Sequence, residues 1–316
     1  MIIKKEKKGN VDIIIVDKDK TDEEAENFKH SFCNGSQIKE IIKEDADVYT
    51  NENKLLLKFR KNVLSSKEIK NFYDNIIRFA SKSYTTNRGT ASGTKKKFNI
   101  RENPKVYSNV LGYIDIISPK QKYILKKQNK TLKYNVRECR FNMENPEKFE
   151  EMVPLIRSID KEYKKLLPEY YRKQRKKANE THFKIPNTSF TTITTNYNFR
   201  TGIHKDKGDD DEGFGNLSVI TKGEYDGAET CFPQYGIGVD VRNGDILFMD
   251  VHEWHGNMEM KKKTKDAERL SIVCYLRKKV WENTRKVGKK EMMKHNKTVK
   301  NIGHREKIKE GVAKFE

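Results

Sequence analysis

Between Thr188 and Leu276 the chain breaks into short β-branched and aromatic runs, TSFTTITTNYN, NLSVIT, GVDV, DILFMD and LSIVCYL, parted by turns rich in Gly, Asp and Asn. Side chains of this kind suit a pleated, half-buried surface, and runs this short do not make helices. Several such strands at close spacing predict two antiparallel layers, a sandwich or a barrel-like jelly roll. This constrains the fold more than any other feature of the sequence.

Helical periodicity lies upstream. SSKEIKNFYDNIIRFA repeats its apolar residues at Ile69, Phe72, Tyr73, Ile76, Ile77 and Ala80, and Ser65 with Glu68 fits a capping box. A second helix is predicted from Asn145-Pro146-Glu147, with its stripe running through Phe149, Met152, Val153, Ile156, Ile159 and Tyr163. Pro154 is expected to kink it and Pro168 to end it or start another turn. VDIIIV (Val11–Val16) and Leu55–Phe59 read as strands. Helices followed by strands predict an α+β fold in which the helices buttress one sheet.

No stretch of the 316 residues approaches the roughly 18 consecutive apolar positions of a membrane span, and the charged N-terminus does not resemble a secretion signal. An intracellular protein without membrane contact is expected. The four cysteines (Cys33, Cys139, Cys231, Cys274) form no C-x-x-C pair, so free buried thiols are expected rather than disulfides or a zinc site. The formal charge of +20 favours contact with phosphate backbones, although the lysine and asparagine richness of an AT-rich genome produces the same surplus. The basic, Gly/Ser/Thr-rich stretch 81–97 reads as a loop able to grip phosphates, and the chain turns basic again in a tail over 281–316.

The stretch TTNYNFRTGIHKDKGDDDEGFG holds His204 and Asp206 one residue apart, which on an extended segment puts both side chains on one face. A second histidine would complete a two-histidine, one-carboxylate triad, which leaves open positions on Fe(II). GDILFMDVHEWHGN offers His252 and His255 after a strand, and Arg269 opens the next strand, RLSIVCYLRKK. A guanidinium there could meet the far carboxylate of a diacid that chelates the metal at its other end. Each piece alone is a polar loop or a surface charge; their conjunction favours a metal site.

These residues resemble the Fe(II)/2-oxoglutarate dioxygenases, and among them the TET and base-J-binding-protein (JBP) group with its phage and viral members. The similarity runs from about Arg137 to Lys279 through CRFNMENPEKFEE, LPEYYRKQ, GFGNLSVI, GVDVRNGDILFMDVHEWHGN and RLSIVCYLRKK. It implies a double-stranded β-helix core over 137–280, with residues 1–136 as a mixed N-terminal extension. It implies His204, Asp206 and His255 as iron ligands, the His-Gly-Asn turn favouring His255 over His252. Arg269 would bind 2-oxoglutarate, and Asn196 would lie near that cofactor. Tyr275 would stack on a substrate base. Where the TET enzymes have a histidine and an asparagine at the base edge, this chain has Arg277 and Asp209, which leaves the base open.

The implied activity uses Fe(II), 2-oxoglutarate and O2 to hydroxylate the 5-methyl group of 5-methylcytosine or thymine in DNA, releasing succinate and CO2. The expected enzyme is a monomer in the nucleus or another DNA-containing compartment. The alternatives are a protein prolyl or lysyl hydroxylase, an AlkB-type N-demethylase, or a nucleic-acid-binding module without catalysis.

Overall fold

The computed structural model describes residues 1–29, 31–86, 88, 90–92, 104–117, 119–129 and 131–309. Most of the predicted basic stretch beyond position 92, and the tail after 309, lie outside the described residues.

Ten strands form the main sheet. Their spatial order is Ile2–Lys8, Val11–Val16, Ala46–Thr50, Leu55–Arg60, Ile246–Met249, Gly215–Lys222, Glu268–Tyr275, Thr192–Tyr197, Ser108–Ile114 and Arg137–Glu138. Neighbours are antiparallel except Val11–Val16 beside Ala46–Thr50. A second sheet runs Gly256–Asn257, Thr230–Phe232, Ile237–Val239 and Glu40–Ile42. Residues before 137 thus contribute four strands at one side of the main sheet, the next-to-last strand at the other, and one edge strand of the second sheet.

Alternation along the strands gives the main sheet two different faces. Leu270, Ile272 and Cys274 point to one side together with Ile193, Ile246 and Phe248. Helices Ser66–Ala80 and Pro146–Leu166 cover that side with Phe72, Ile76, Ile156, Ile159 and Tyr163. The opposite face, through Leu217, Val219, Leu247 and Met249, packs on Phe232, Ile237 and Val239 of the second sheet. Two facing sheets with helices behind one of them match the predicted α+β layering.

Three local expectations met tertiary context. Ser65 does stand at the N-cap, but its side chain makes no capping bond, so this helix is held by its buried stripe. Pro154 sits inside a helix that continues to Leu166, because buried side chains on both sides of it press the helix onto the sheet. Pro168 starts a new helix, Pro168–Asn179. The basic tail is helical over Lys278–Thr284 and Lys289–Lys309. All four cysteines are buried and free. Among the described residues no helix is long and apolar enough to cross a membrane.

Candidate metal centre and its cavity

His204 and His255 pair through their backbones: the N–H of each donates to the carbonyl of the other, at 2.9 and 3.0 Å. The Asp206 N–H donates to the Val251 carbonyl at 2.9 Å, and the Asn257 Oδ1 accepts from the Thr201 N–H at 2.7 Å. These bonds lay the His-x-Asp segment along the turn that follows strand Ile246–Met249. The imidazole centroids end 4.4 Å apart. Asp206 faces both rings, with Oδ1 at 3.4 Å from His204 Nε2 and Oδ2 at 4.0 Å from His255 Nε2. Among the described residues this is the cluster of His, Cys, Asp and Glu groups whose ligand atoms lie close enough to hold a metal, all within 4.8 Å of one another.

The donor set fits a divalent transition metal. His204 Nδ1 lies 2.8 Å from the Gly202 carbonyl and His255 Nδ1 lies 2.9 Å from the Glu253 carbonyl. A carbonyl only accepts, so each Nδ1 carries the proton and each Nε2 presents a lone pair to the common centre. This is how metal-binding imidazoles are usually oriented. His204 and Asp206 keep about a third of their side-chain surface open, whereas His255 is buried, so the centre faces the cavity from one side.

The electrostatics act differently on the three candidate ligands. Burial works to raise the Asp206 carboxyl, but its contact with His204 and the nearby His255 outweigh that and hold it at about 2. Burial works to lower His204, yet Asp206 brings it above its ordinary value. Burial, reinforced by His204, pulls His255 down to about 4. His252, the rival on sequence, stands outside the cluster; its N–H bonds Asp250 and its Nε2 is buried without a partner.

The cluster opens into a cavity of about 560 Å³ whose walls also carry Asn196, Asp209, Arg269, Tyr275 and Arg277. Strand alternation explains the set: Arg269, Ser271, Val273 and Tyr275 occupy the face opposite Leu270, Ile272 and Cys274. Arg269 is buried to 6% exposure and its Nε has no hydrogen-bond partner. Burial lowers its pKa, which Tyr225 opposes. A buried guanidinium with an orphaned donor calls for an anion. Asn196 donates to the Ser271 hydroxyl at 3.3 Å. The Tyr275 hydroxyl lies 3.3 Å from that of Thr194, and burial pushes its pKa up to about 12. Arg277 donates from Nε to the Asp115 carboxylate. Asp209 is raised well above the usual carboxylate range by burial and by Asp206, with Arg277 opposing.

Comparison with known proteins agrees with this geometry. Residues 123–278 match Tet_JBP, the oxygenase domain of the 2OGFeDO superfamily. That segment is similar to TET/JBP oxygenase domains. The bifunctional helicase and thymine dioxygenase JBP2 of Leishmania braziliensis is 35% identical over 170 residues, 54% of this chain and 14% of that protein. Thymine dioxygenase JBP1 of Trypanosoma brucei brucei is 34% identical over 143 residues, 45% of this chain and 17% of that protein. The chain therefore spans less than a fifth of the curated relatives it matches. The structure of NgTET1 in complex with 5mC DNA superposes with a TM-score of 0.53 at 14% identity, covering 90% of each chain. This last likeness is one of fold, and it covers more of the chain than the match over residues 123–278.

Several cavity residues carried little or no signal in the sequence. Lys29 and Arg88 reach the wall from upstream of the matched segment; only its charge marked Lys29, while Arg88 belongs to the basic stretch 81–97, which nothing local tied to this cavity. Leu217 and Met249 supply apolar wall from strands read correctly as strands. Asn216 is a buried clamp behind the site: its amide donates to the Cys274 carbonyl at 2.6 Å and its Oδ1 accepts the Cys274 N–H at 3.0 Å.

Proposed function

We propose that this chain is an Fe(II)- and 2-oxoglutarate-dependent dioxygenase that hydroxylates the 5-methyl group of a pyrimidine base in DNA. The observation that carries this reading is the pairing, in one cavity, of the His204–Asp206–His255 donor set with buried Arg269, whose Nε has no hydrogen-bond partner among the described residues. In the same reading the two facing sheets are a double-stranded β-helix. Strands Thr192–Tyr197, Glu268–Tyr275, Gly215–Lys222 and Ile246–Met249 make its larger half.

His204, Asp206 and His255 hold the iron through two neutral imidazole Nε2 atoms and one carboxylate. Together with 2-oxoglutarate, iron supplies the O2 chemistry that replaces a methyl C–H by C–OH, with succinate and CO2 as co-products. Arg269 offers its guanidinium to the distal carboxylate of 2-oxoglutarate, a bidentate match whose strength is increased by burial. Asn196 polarises the same end of the cavity. Tyr275 presents its ring as a wall for a base, and Asp209 and Arg277 stand where its edge would be read. A methyl stacked inside duplex DNA cannot reach such a cavity, so the target nucleotide must leave the stack.

The JBP relatives are named as thymine dioxygenases, which makes thymine the first base to test. A DNA substrate places the enzyme in the nucleus of a eukaryote or wherever its target DNA resides. The deciding experiment incubates the protein with Fe(II), 2-oxoglutarate and oligonucleotides containing thymine or 5-methylcytosine, then measures nucleosides by mass spectrometry. Hydroxymethyl product supports the reading. Succinate without any nucleoside product would point to a protein or N-methyl substrate, and absence of both to a binding module.

A further inference from the structure

The cavity wall is not made by the oxygenase domain alone. Two upstream segments are fastened to the residues just before His204: the Gly202 N–H donates to the Ala91 carbonyl at 2.6 Å, and the Ile203 N–H donates to the Ser31 carbonyl at 2.8 Å. Each anchor carries a cation to the wall, Arg88 beside Ala91 and Lys29 beside Ser31. Neither cation is consumed by a strong partner. Among the described residues Lys29 pairs only with Glu26 at 3.3 Å, both side chains well exposed, a contact worth little in water. Among the described residues Arg88 makes no ion pair within 4 Å, and its field is felt by Asp206 and Asp209 across the cavity.

Charge balance says what these cations await. Asp206 and Asp209 are the carboxylates that feel Arg88 across the cavity, and a divalent metal held by Asp206 would take up the charge of that one. An additional anion is then required at the mouth, and a second one suits Lys29, which is exposed. Lys205 and Lys207, flanking Asp206, add positive charge to the same wall. Arg269 and the buried end of the cavity are separately provided for by the strand that carries them.

We propose that Arg88 and Lys29 complete the substrate site by holding phosphodiester groups that flank the target nucleotide. This rests on the nucleic-acid reading above and adds its positioning residues. The upstream segments then set how the strand enters, while the oxygenase domain holds the reacting base.

The test is fluorescence anisotropy with a labelled thymine-containing oligonucleotide, single-stranded and duplex, titrated across salt for the full chain and for Arg88→Gln and Lys29→Gln. Lys148→Gln, on the far helix, is the control. Removing one cation from a phosphate should reduce the slope of log affinity against log salt by about 0.7 to 0.9, so each variant should flatten it by about one unit relative to wild type. In turnover, the KM for oligonucleotide should rise several-fold while the KM for 2-oxoglutarate stays unchanged. An unaltered salt slope in both variants overturns the proposal. So does an Arg88→Gln variant whose defect is in the KM for 2-oxoglutarate, since Arg88 would then serve the cofactor. Lys29 is exposed, so its variant reports even if Arg88→Gln disturbs folding. A wild-type protein that makes no succinate would sink the oxygenase reading, while the salt slopes would still decide this one.

Discussion

His204 and His255 are hydrogen-bonded to each other through both backbone N–H groups, and this reciprocal pair sets the two imidazoles 4.4 Å apart, with Asp206 facing both. The candidate metal centre is thus built on a rung of sheet rather than on free loops. Ligand geometry inherits the stiffness of the strands that frame it.

Removing a ligand should cost metal without costing the fold. For Asp206→Ala or His204→Ala, activity should fall more than the about 10- to 100-fold seen when only a residue steadying a ligand is removed. Thermal shift under anaerobic conditions should show the wild type stabilised by Fe(II) and the variants indifferent to it. A variant that kept both turnover and the shift would remove that residue from the ligand set.

Gly256 should matter although it touches no metal. A Cβ there would stand 3.0 Å from the Thr201 carbonyl oxygen and 3.3 Å from the Gly202 carbonyl carbon, in the segment leading to His204. Gly256→Ala should therefore push the two ligand segments apart and weaken metal affinity by about 10-fold or more, in the range for disturbed ligand support. Metal titration followed by calorimetry measures it; unchanged affinity would show that the segments yield without moving the ligands.

Arg269 should trade stability against function. Its buried charge lacks a partner at Nε, so Arg269→Met is expected to leave the melting temperature of the cofactor-free protein unchanged or higher. The same change should raise the KM for 2-oxoglutarate by about 10-fold or more, since a charge-assisted hydrogen bond contributes about 1.5–3 kcal/mol. A lowered melting temperature with an unchanged KM would reverse both assignments.

Metal binding should release protons at pH values below the His204 pKa. His204 is raised above its ordinary value and must lose its proton to bind, whereas His255, at about 4, is already neutral and Asp206, at about 2, already charged. Affinity should fall about tenfold per pH unit below the His204 pKa, and more steeply only near pH 4. In the metal-free protein the sign is opposite for stability. The raised His204 pKa contributes stability below its unfolded value, and this is lost as pH rises through the folded one. Calorimetry in buffers of different ionisation enthalpy counts the protons.

Asn216→Ala should destabilise the fold by about 2–5 kcal/mol, because it strands both backbone groups of buried Cys274 at about 1–3 kcal/mol each. Chemical denaturation reads this directly, and a change below about 1 kcal/mol would mean that the pair finds other partners.

Much of the site was legible because strands alternate. Once RLSIVCYL was read as a strand, Arg269 and Tyr275 necessarily shared a face, and the structure sets both on the cavity wall. His204 and Asp206 were legible for the same reason. The helix over Ser66–Ala80 followed from its apolar spacing, while the capping box suggested by Ser65 and Glu68 did not form, since burial of that stripe holds the helix without it. The strands at Thr230–Phe232 and Gly256–Asn257 are too short to show a period and emerge only as partners of their neighbours.

The sequence by itself determined which side chains share a strand face, because a period of two is a local property of the backbone. It also determined that two imidazoles, a carboxylate and an arginine were available in chain order for a metal and a diacid. Only the tertiary structure decided that His255 rather than His252 meets His204, and that Lys29 and Arg88 reach the same cavity. Those outcomes depend on hydrogen bonds between segments far apart in the chain, Ser31 and Ala91 to the residues before His204 and His204 to His255, and no local pattern encodes such a register.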